Sequence, residues 1–405
     1  MNNTDLFQLA LGLTPPWFVS ETRFNAEAQE LHITIDFVPG SSFACPACAE
    51  AGCNVHDTKE RSWRHLNFFQ HKTFIHAPLP RTKCDRCGAV RQITAPWSRP
   101  GSGFTLLFEA YVMTLMKEMP VKSVARIVGE HDSLLWRILH HYVHTTRRKE
   151  DLSAVEKRSI DETARTKGHK YVSSVMDAET RRVIFATEGK GADVLPKFKE
   201  DFQSHRGCAE NITDVCMNMS PAFISGVEKN LPEVAITVDK FHVIKLINEA
   251  VDQVRREEQK TMPELKGTRY TWFKNKRHLT MKQKAIMEDV LAQRNAKTGK
   301  AYQLRLTFQE MYEKDPMDAP MFFKKWYFWA THSRLAPMKE VAQTMKRHEK
   351  GILRWFVSNV TNGLQEGINS VIQAAKRKAR GYRSVRNFIS MVAGGLDIRK
   401  APERI

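Results

Sequence analysis

The pairs Cys45-Pro46-Ala47-Cys48 and Cys84-Asp85-Arg86-Cys87 constrain this chain more than any other feature. Two thiols separated by two residues sit on one tight knuckle, and two such knuckles close a tetrahedral four-thiolate site around Zn2+. Closure ties residue 45 to residue 87 and makes the stretch between them fold back on itself. That stretch, TKERSWRHLNFFQHKTFIHAPLPRTK, alternates apolar and polar residues, which predicts short strands. Gly88 after the second pair suits a knuckle turn. A redox motif needs only one pair. Cys53, His56, His65, His71 and His76 are also at hand, yet four cysteines close the site without them, and a closed site is structural. The expectation is a zinc ribbon held by Cys45, Cys48, Cys84 and Cys87.

Charge indicates the partner. Lys and Arg number 63 against 45 Asp and Glu, a net charge of +18, which suits a polyanion such as nucleic acid. The stretch between the knuckles is itself rich in Arg, Lys, His and aromatic residues and is expected to touch DNA. The start MNNTDLFQLALGL lacks the basic and long apolar regions of a secretory signal. No window approaches eighteen apolar residues, so no membrane span is expected. The expected location is the cytoplasm, on the bacterial nucleoid.

After the loop Ala95–Gly101 the pattern turns helical. FTLLFEAYVMTLMKEM has apolar residues at helical spacing and stops at Pro120. Val121, Val124, Ala125 and Val128 form one face of a second helix, and Gly129 suits its end. Asp132 or Ser133 can cap a third helix carrying Leu135, Trp136, Leu139 and Tyr142. Two helices with small residues at the crossing read as a helix-turn-helix. The last helix would enter the major groove with Ser133, Arg137, His140 and His141 available. An ordinary helical hairpin has the same pattern; the zinc ribbon and the charge favour DNA.

From Lys157 the periodicity becomes strand-like. Three strands, the first carrying Asp161, form an expected meander through Glu188. A helix around 192–205, the buried strand ITDVCM, a helix near Pro221–Asn230 and the buried strand VAITV follow. Three antiparallel strands followed by two α/β units give the order of an RNase H-like sheet. That fold carries carboxylates on its first strand, just past its fourth strand and on a late helix. Together they hold two Mg2+ ions, which prefer oxygen ligands.

The motif set makes the likeness specific. It includes the zinc knuckles, Ile160-Asp161-Glu162, Lys167-Gly168-His169-Lys170-Tyr171, Met217-Asn218-Met219-Ser220-Pro221 and Val238-Asp239-Lys240-Phe241-His242. It continues through Gly267-Thr268-Arg269-Tyr270 and Asn362-Gly363-Leu364-Gln365-Glu366-Gly367-Ile368-Asn369 to Gly381-Tyr382. Over nearly its whole length the chain resembles ISL3-family insertion-sequence transposases, DDE-type enzymes. The resemblance implies a catalytic triad at Asp161, the position of Asn218, and Glu366, with Asp161 and Glu366 as Mg2+ ligands. It implies a multidomain α+β chain. A zinc ribbon takes residues 1–95 and a helix-turn-helix 96–150. An RNase H-like core takes 151–245 and 356–405, interrupted by a helical insertion at 246–355.

Within the insertion, Tyr270, Trp272, Phe273, Trp326, Tyr327, Phe328 and Trp329 lie among basic residues. They are either bases' stacking partners or a helical core. The run Lys376, Arg377, Lys378 and Arg380 follows Glu366 along its helix and is expected to grip phosphates.

Asn218 departs from the family pattern, which has Asp there. The amide keeps the shape and removes the charge, through deliberate exchange or through drift. Asp214, four residues back and roughly 13 Å away along the strand, cannot substitute. Asp239 ends the adjacent strand at the same level; it is either a substitute or outer-sphere group or a cap for the following helix, and capping is the expected role. The reading is a transposase of weakened catalysis. It would bind double-stranded terminal inverted repeats and target DNA and act as a dimer or larger assembly. The alternatives are a non-catalytic DNA-binding regulator derived from a transposase, and a structure-specific nuclease of the same fold.

Overall fold

A computed structural model describes residues 3–166, 170–293, 296–360 and 363–395. These form two compact units, one through His144 and one from Thr145.

The first unit opens with helix α1 (Asn3–Ala10) and strands β1 (Trp17–Asn25) and β2 (Glu30–Phe37). Then come β3 (Val55–Phe68), β4 (His71–Lys83) and the short β5 (Val90–Gln92). The sheet order is β1-β2-β4-β3, with β5 on β4. The predicted short strands between the knuckles are in fact one hairpin with arms of 14 and 13 residues. Alternation runs along β4 from Thr73 to Leu79, with Thr73, Ile75, Ala77 and Leu79 buried, so the arms stay paired between register shifts near the two ends, at Val55/Asp57 and at His65/Phe68. Ile35 of β2, Trp17 and Trp63 complete that core. β1 and β2 had no counterpart in the sequence reading.

Helices α2 (Leu106–Glu118), α3 (Val121–Val128) and α4 (Asp132–Arg147) follow. Thr105 caps α2 by accepting the Phe108 N–H. Val121, Val124, Ala125 and Val128 are all buried, and Gly129 ends α3 with φ +68°, a conformation that suits glycine. The fully buried Glu109 of α2 accepts from Arg99 Nε, Ser102 Oγ and Tyr142 Oη of α4, which ties the helices together.

The second unit carries β6 (Lys157–Thr166), β7 (Lys170–Asp177), β8 (Val183–Glu188), α5 (Val194–Ser204), β9 (Asp214–Met217), α6 (Pro221–Asn230) and β10 (Ala235–Val238). The sheet order β10-β9-β6-β7-β8, with β6, β9 and β10 parallel and the other pairs antiparallel, is that expected of an RNase H-like core. The four residues of β9 are all buried, as a central parallel strand requires.

A long helix α7 (Lys240–Glu258) leads into α8 (Arg269–Phe273), α9 (Met281–Ala292), α10 (Lys297–Met311), α11 (Ala319–Thr331), α12 (Ala336–Arg347) and α13 (Glu349–Ser358). Their core joins Val243, Ile247 and Val251 of α7 to Trp272, Tyr302, Phe308 and Trp326. Of the insertion aromatics singled out in the sequence, Trp272 and Trp326 are therefore core. Trp272 donates to Thr268 and Trp326 to the Leu304 carbonyl. Tyr270, Phe328 and Trp329 are exposed. Buried Glu258 caps α10 from α7, accepting the Lys297 and Thr298 N–H groups at 2.7 Å each. The chain ends in α14 (Gly363–Lys378) and α15 (Val385–Gly395).

Helix α13 lies against β10 at backbone range. A Cβ on Gly351 would stand 2.8 Å from Val238 Cγ2 and 3.3 Å from the Ile236 carbonyl oxygen. In an open helix Gly→Ala gains roughly 1 kcal/mol. Here Gly351→Ala should instead lose stability, by roughly 1–3 kcal/mol from overpacking, measured by urea melting.

Candidate active site and zinc centre

Register brings the core site together. Lys157, Arg158 and Ser159 of β6 pair with Asp214, Val215 and Cys216 of β9. Asp214, Val215, Cys216 and Met217 in turn pair with Ala235, Ile236, Thr237 and Val238 of β10. Two residues past the Ser159–Cys216–Thr237 row stand Asp161, still on β6, and Asn218 and Asp239, the first residues beyond β9 and β10. Asp161 and Asp239 are buried, Asp239 completely.

Asp161 is the electrostatic centre of this row. Burial raises its pKa from the ordinary 3.8 to about 6; the Glu162 N–H and the His242 charge pull it down, while the Glu162 and Asp239 carboxylates push it up. Its Oδ1 accepts the Glu162 N–H at 2.9 Å and its Oδ2 accepts from Asn369 Nδ2 of α14 at 2.6 Å. Asn218 follows β9 directly. Its Nδ2 donates to Glu162 Oε2 at 3.1 Å, and its Oδ1 accepts the Ser220 N–H at 2.9 Å.

Asp239 stands at the N-cap position of α7, but its side chain makes no capping hydrogen bond. Its Oδ2 instead lies 2.8 Å from His242 Nδ1. That carboxylate raises the His242 pKa against burial, and Asp161 adds to the rise. The expected capping role of the side chain is thus replaced by an Asp–His pair. Asp214, at the other end of β9, is held by Arg354 of α13 at 2.8 and 3.1 Å.

Helix α14 includes position 366, but the Glu366 side chain lies outside the described residues, as do Asn362 and residues 167–169. Beyond position 366 the helix is laced to β6. Gln373 donates to Thr163 Oγ1 at 2.8 Å, and Lys376 donates to the Ala164 carbonyl at 2.7 Å. Lys376 therefore serves the docking of α14. Arg377, Lys378 and Arg380 are exposed.

In the first unit the Cys45, Cys48, Cys84 and Cys87 sulfurs all lie within 4.8 Å of one another. Cys45 Sγ is 3.7 Å from Cys87 Sγ, and Cys48 Sγ is 3.6 Å from Cys84 Sγ. Four thiolates at Zn–S distances of about 2.3 Å stand about 3.8 Å apart in a tetrahedron, so these sulfurs fit Zn2+. Cys53 is buried next to the group and bonds the Glu50 carbonyl. The β3–β4 hairpin explains the convergence: Val55 pairs with Thr82 at its open end, where both knuckles attach.

On α4, Ser133, Arg137 and His141 are exposed, at intervals of four residues along one stripe. His144 continues that stripe and was missed in the sequence. His140 is buried, with its ring 5.9 Å from that of Trp136. It belongs to the inward face with Leu135, Ile138 and Leu139 and is not available to a groove.

A family model described as transposase, of the ISL3 DDE type, matches residues 159–392. The helix-turn-helix domain of transposase family ISL3 matches residues 93–143, and the zinc-finger of transposases IS204/IS1001/IS1096/IS1165 matches residues 41–87. The chain belongs to the ISL3 family of transposases. It is 28% identical over 353 residues to the transposase for insertion sequence element IS1001 of Bordetella parapertussis, covering 85% of this chain and 86% of that one. It is 24% identical over 429 aligned positions to the transposase for insertion sequence element IS1557 of Mycobacterium tuberculosis (strain CDC 1551 / Oshkosh), covering 96% and 95%. Zinc ribbon, helix-turn-helix and transposase domain thus follow one another in the expected order. No helix among the described residues is long and apolar enough to cross a membrane.

Three side chains of this transposase escaped the sequence reading of the site. Glu162 and His242 lay inside quoted motifs without a role. Asn369 likewise stood at the end of a quoted motif without a role. For Glu162 the signal was its place next to Asp161 in the chain; for His242 and Asn369 it was nearness to Asp161, which only the fold supplies.

Two measurements follow from this geometry. Elemental analysis of the purified protein should return one zinc per chain. Cys84→Ser should lose that zinc and lower the melting temperature of the first unit, because a structural site contributes folding energy. Asp161 supplies the second. An acid whose pKa is raised on folding contributes stability below its unfolded pKa, and that stability is lost as pH rises through about 6. The loss is about 3 kcal/mol from a rise of this size. In chelator at pH 7.5, Asp161→Asn should therefore melt higher than the native chain, and the advantage should shrink as pH falls toward 4.

Proposed function

We propose that this transposase recognises double-stranded terminal inverted repeats through its zinc ribbon and helix-turn-helix, and that its core cuts and joins DNA with chemistry weakened by Asn218. The domains in this reading are those set out above, with the insertion at 246–355 inside the core. The observation that supports it is the parallel register of β6, β9 and β10, which sets Asp161 of β6 beside the ends of β9 and β10, where Asn218 and Asp239 follow.

The donor set suits a hard divalent cation. Asp161 offers only carboxylate oxygen, and its burial holds it above its ordinary pKa, a cost that a bound cation removes. Asp161 and Glu366 would hold Mg2+, two ions in the full site. When bound, Mg2+ polarises the phosphoryl oxygens and activates the attacking and leaving oxygens of an in-line displacement.

The chain's own groups do the positioning. The Glu162 N–H and Asn369 orient the Asp161 carboxylate. Asn218 engages both ends of its amide without a cation, on Glu162 and on the Ser220 N–H. An aspartate there would face Glu162 with like charge, relieved only by a cation or a proton. The amide relieves it permanently, so affinity for at least one ion falls. Asp239, bound to His242, is the outer-sphere group that adds negative charge beside Asp161.

DNA would meet the stripe Ser133, Arg137 and His141 on α4 in the major groove, and Arg377, Lys378 and Arg380 through phosphates. Cutting two ends together calls for a dimer or larger assembly with target DNA. The second reading, a non-catalytic DNA-binding regulator, draws its support from the same saturated Asn218 amide.

Cleavage of labelled terminal-repeat DNA with Mg2+ or Mn2+ decides between them. Asn218→Asp should cut, and the native chain should cut at least 100-fold more slowly, as removal of a principal charge-stabilising group commonly costs. Equal cutting by both moves the second carboxylate to Asp239. Binding without cutting by both favours the regulator.

A further inference from the structure

The link between α14 and β6 has an unbalanced member. Asn369, Gln373 and Lys376 are spaced by four and three residues, so they share one helical stripe. They bond Asp161, Thr163 and Ala164 respectively. Gln373 and Lys376 reach groups that belong to the sheet alone. Asn369 reaches the carboxylate of the site. Its Nδ2 is 2.6 Å from Asp161 Oδ2, while its Oδ1 is buried and, among the described residues, has no hydrogen-bond partner.

A buried amide oxygen without a donor costs free energy until something takes it up. Among the described residues no lysine or arginine bonds Asp161. The two polar atoms of one amide stand about 2.3 Å apart, so Asn369 Oδ1 lies within about 5 Å of Asp161 Oδ2. Turning the amide half a revolution about its Cβ–Cγ bond exchanges nitrogen and oxygen. In one orientation the side chain donates to Asp161. In the other it sets a neutral oxygen beside a carboxylate oxygen, which is the donor pair a hard divalent cation takes.

We propose that Asn369 is a cation-dependent amide switch. Without a divalent cation its nitrogen holds Asp161 in place. With one it rotates and becomes an oxygen ligand shared with Asp161. This rests on the reading of Asp161 as a cation-holding carboxylate. It also gives α14 a reason to carry an amide here: a carboxylate would repel Asp161 in the empty site, and an apolar residue would leave Asp161 unheld. The device explains how a site that has lost charge at position 218 keeps an oxygen donor.

The test is Mn2+ binding to the full chain, without DNA, followed by the loss of the free-ion electron paramagnetic resonance signal. The native chain is compared with Asn369→Leu, Asn369→Asp, Gln373→Ala and Asp161→Asn. Asn369→Leu should weaken Mn2+ binding about tenfold or more, the usual cost of removing a group that supports a metal ligand. Asn369→Asp should bind Mn2+ tighter than the native chain. Gln373→Ala, which removes a docking bond one turn along, should bind as the native chain does. If Asp161→Asn abolishes binding while Asn369→Leu stays within twofold of native, Asn369 only docks the helix and the switch is wrong, with the site reading intact. If Asp161→Asn leaves binding unchanged, or the native chain binds no Mn2+, the site reading fails and the switch with it. Should Asn369→Leu not fold, as circular dichroism would show, Asn369→Asp decides alone: binding no tighter than native overturns the switch.

Discussion

The parallel alignment of β6, β9 and β10 is the constraint on which the core depends. Parallel neighbours in register point side chains to the same face at the same height. Here β9 and β10 end beside the middle of β6, so the residues that follow them, Asn218 and Asp239, come close to the Asp161–Glu162 pair. The arrangement concentrates acidic groups where the sheet, α7 and α14 exclude water, which is unfavourable for folding by itself. The raised pKa of Asp161 expresses that cost directly. The surrounding structure meets it with neutral donors from Asn218 and Asn369 and with the imidazole of His242, all placed within reach of the three carboxylates.

Asn218 takes its meaning from this balance. An amide in the row removes one negative charge and adds one donor, so Glu162 acquires a partner and the local repulsion falls. Under the function proposed above, what helps the fold here works against the chemistry, because carboxylates kept apart only by a cation are also those that bind it, a tension common where active sites store unfavourable charge.

The DNA-binding unit is built on different physics. A hairpin whose open end carries two cysteine knuckles needs little hydrophobic core there, since four thiolates and a zinc ion replace it. The aromatic core around Trp17 and Trp63 sits farther along the sheet. In the helices beyond, buried Glu109 binds three partners and fixes α2 against α4, leaving one stripe of α4 outward. That stripe includes Ser133, Arg137 and His141 and excludes His140.

Much of this was legible in the sequence because it is local or periodic. The cysteine spacing named the zinc ligands. The spacing of Val121, Val124, Ala125 and Val128 named a buried helix face, and the alternation from Lys157 to Glu188 named a meander. Position 218 was legible as one residue past a buried strand. Facts set by residues far apart in the chain were not. His140 turned inward because the apolar stripe of α4 is wide enough to reach it, a matter of one helical step. Trp272 and Trp326 became core while Phe328 and Trp329 did not, which depends on how helices α7 to α13 pack. The bonds Asn369–Asp161, Asn218–Glu162 and His242–Asp239 required strand register and helix docking before any of them had a partner. The sequence determined which residues the site would draw on; only tertiary structure decided which atoms meet, because hydrogen bonds and desolvation act over a few ångströms and the chain spans 208 residues between Asp161 and the amide that holds it.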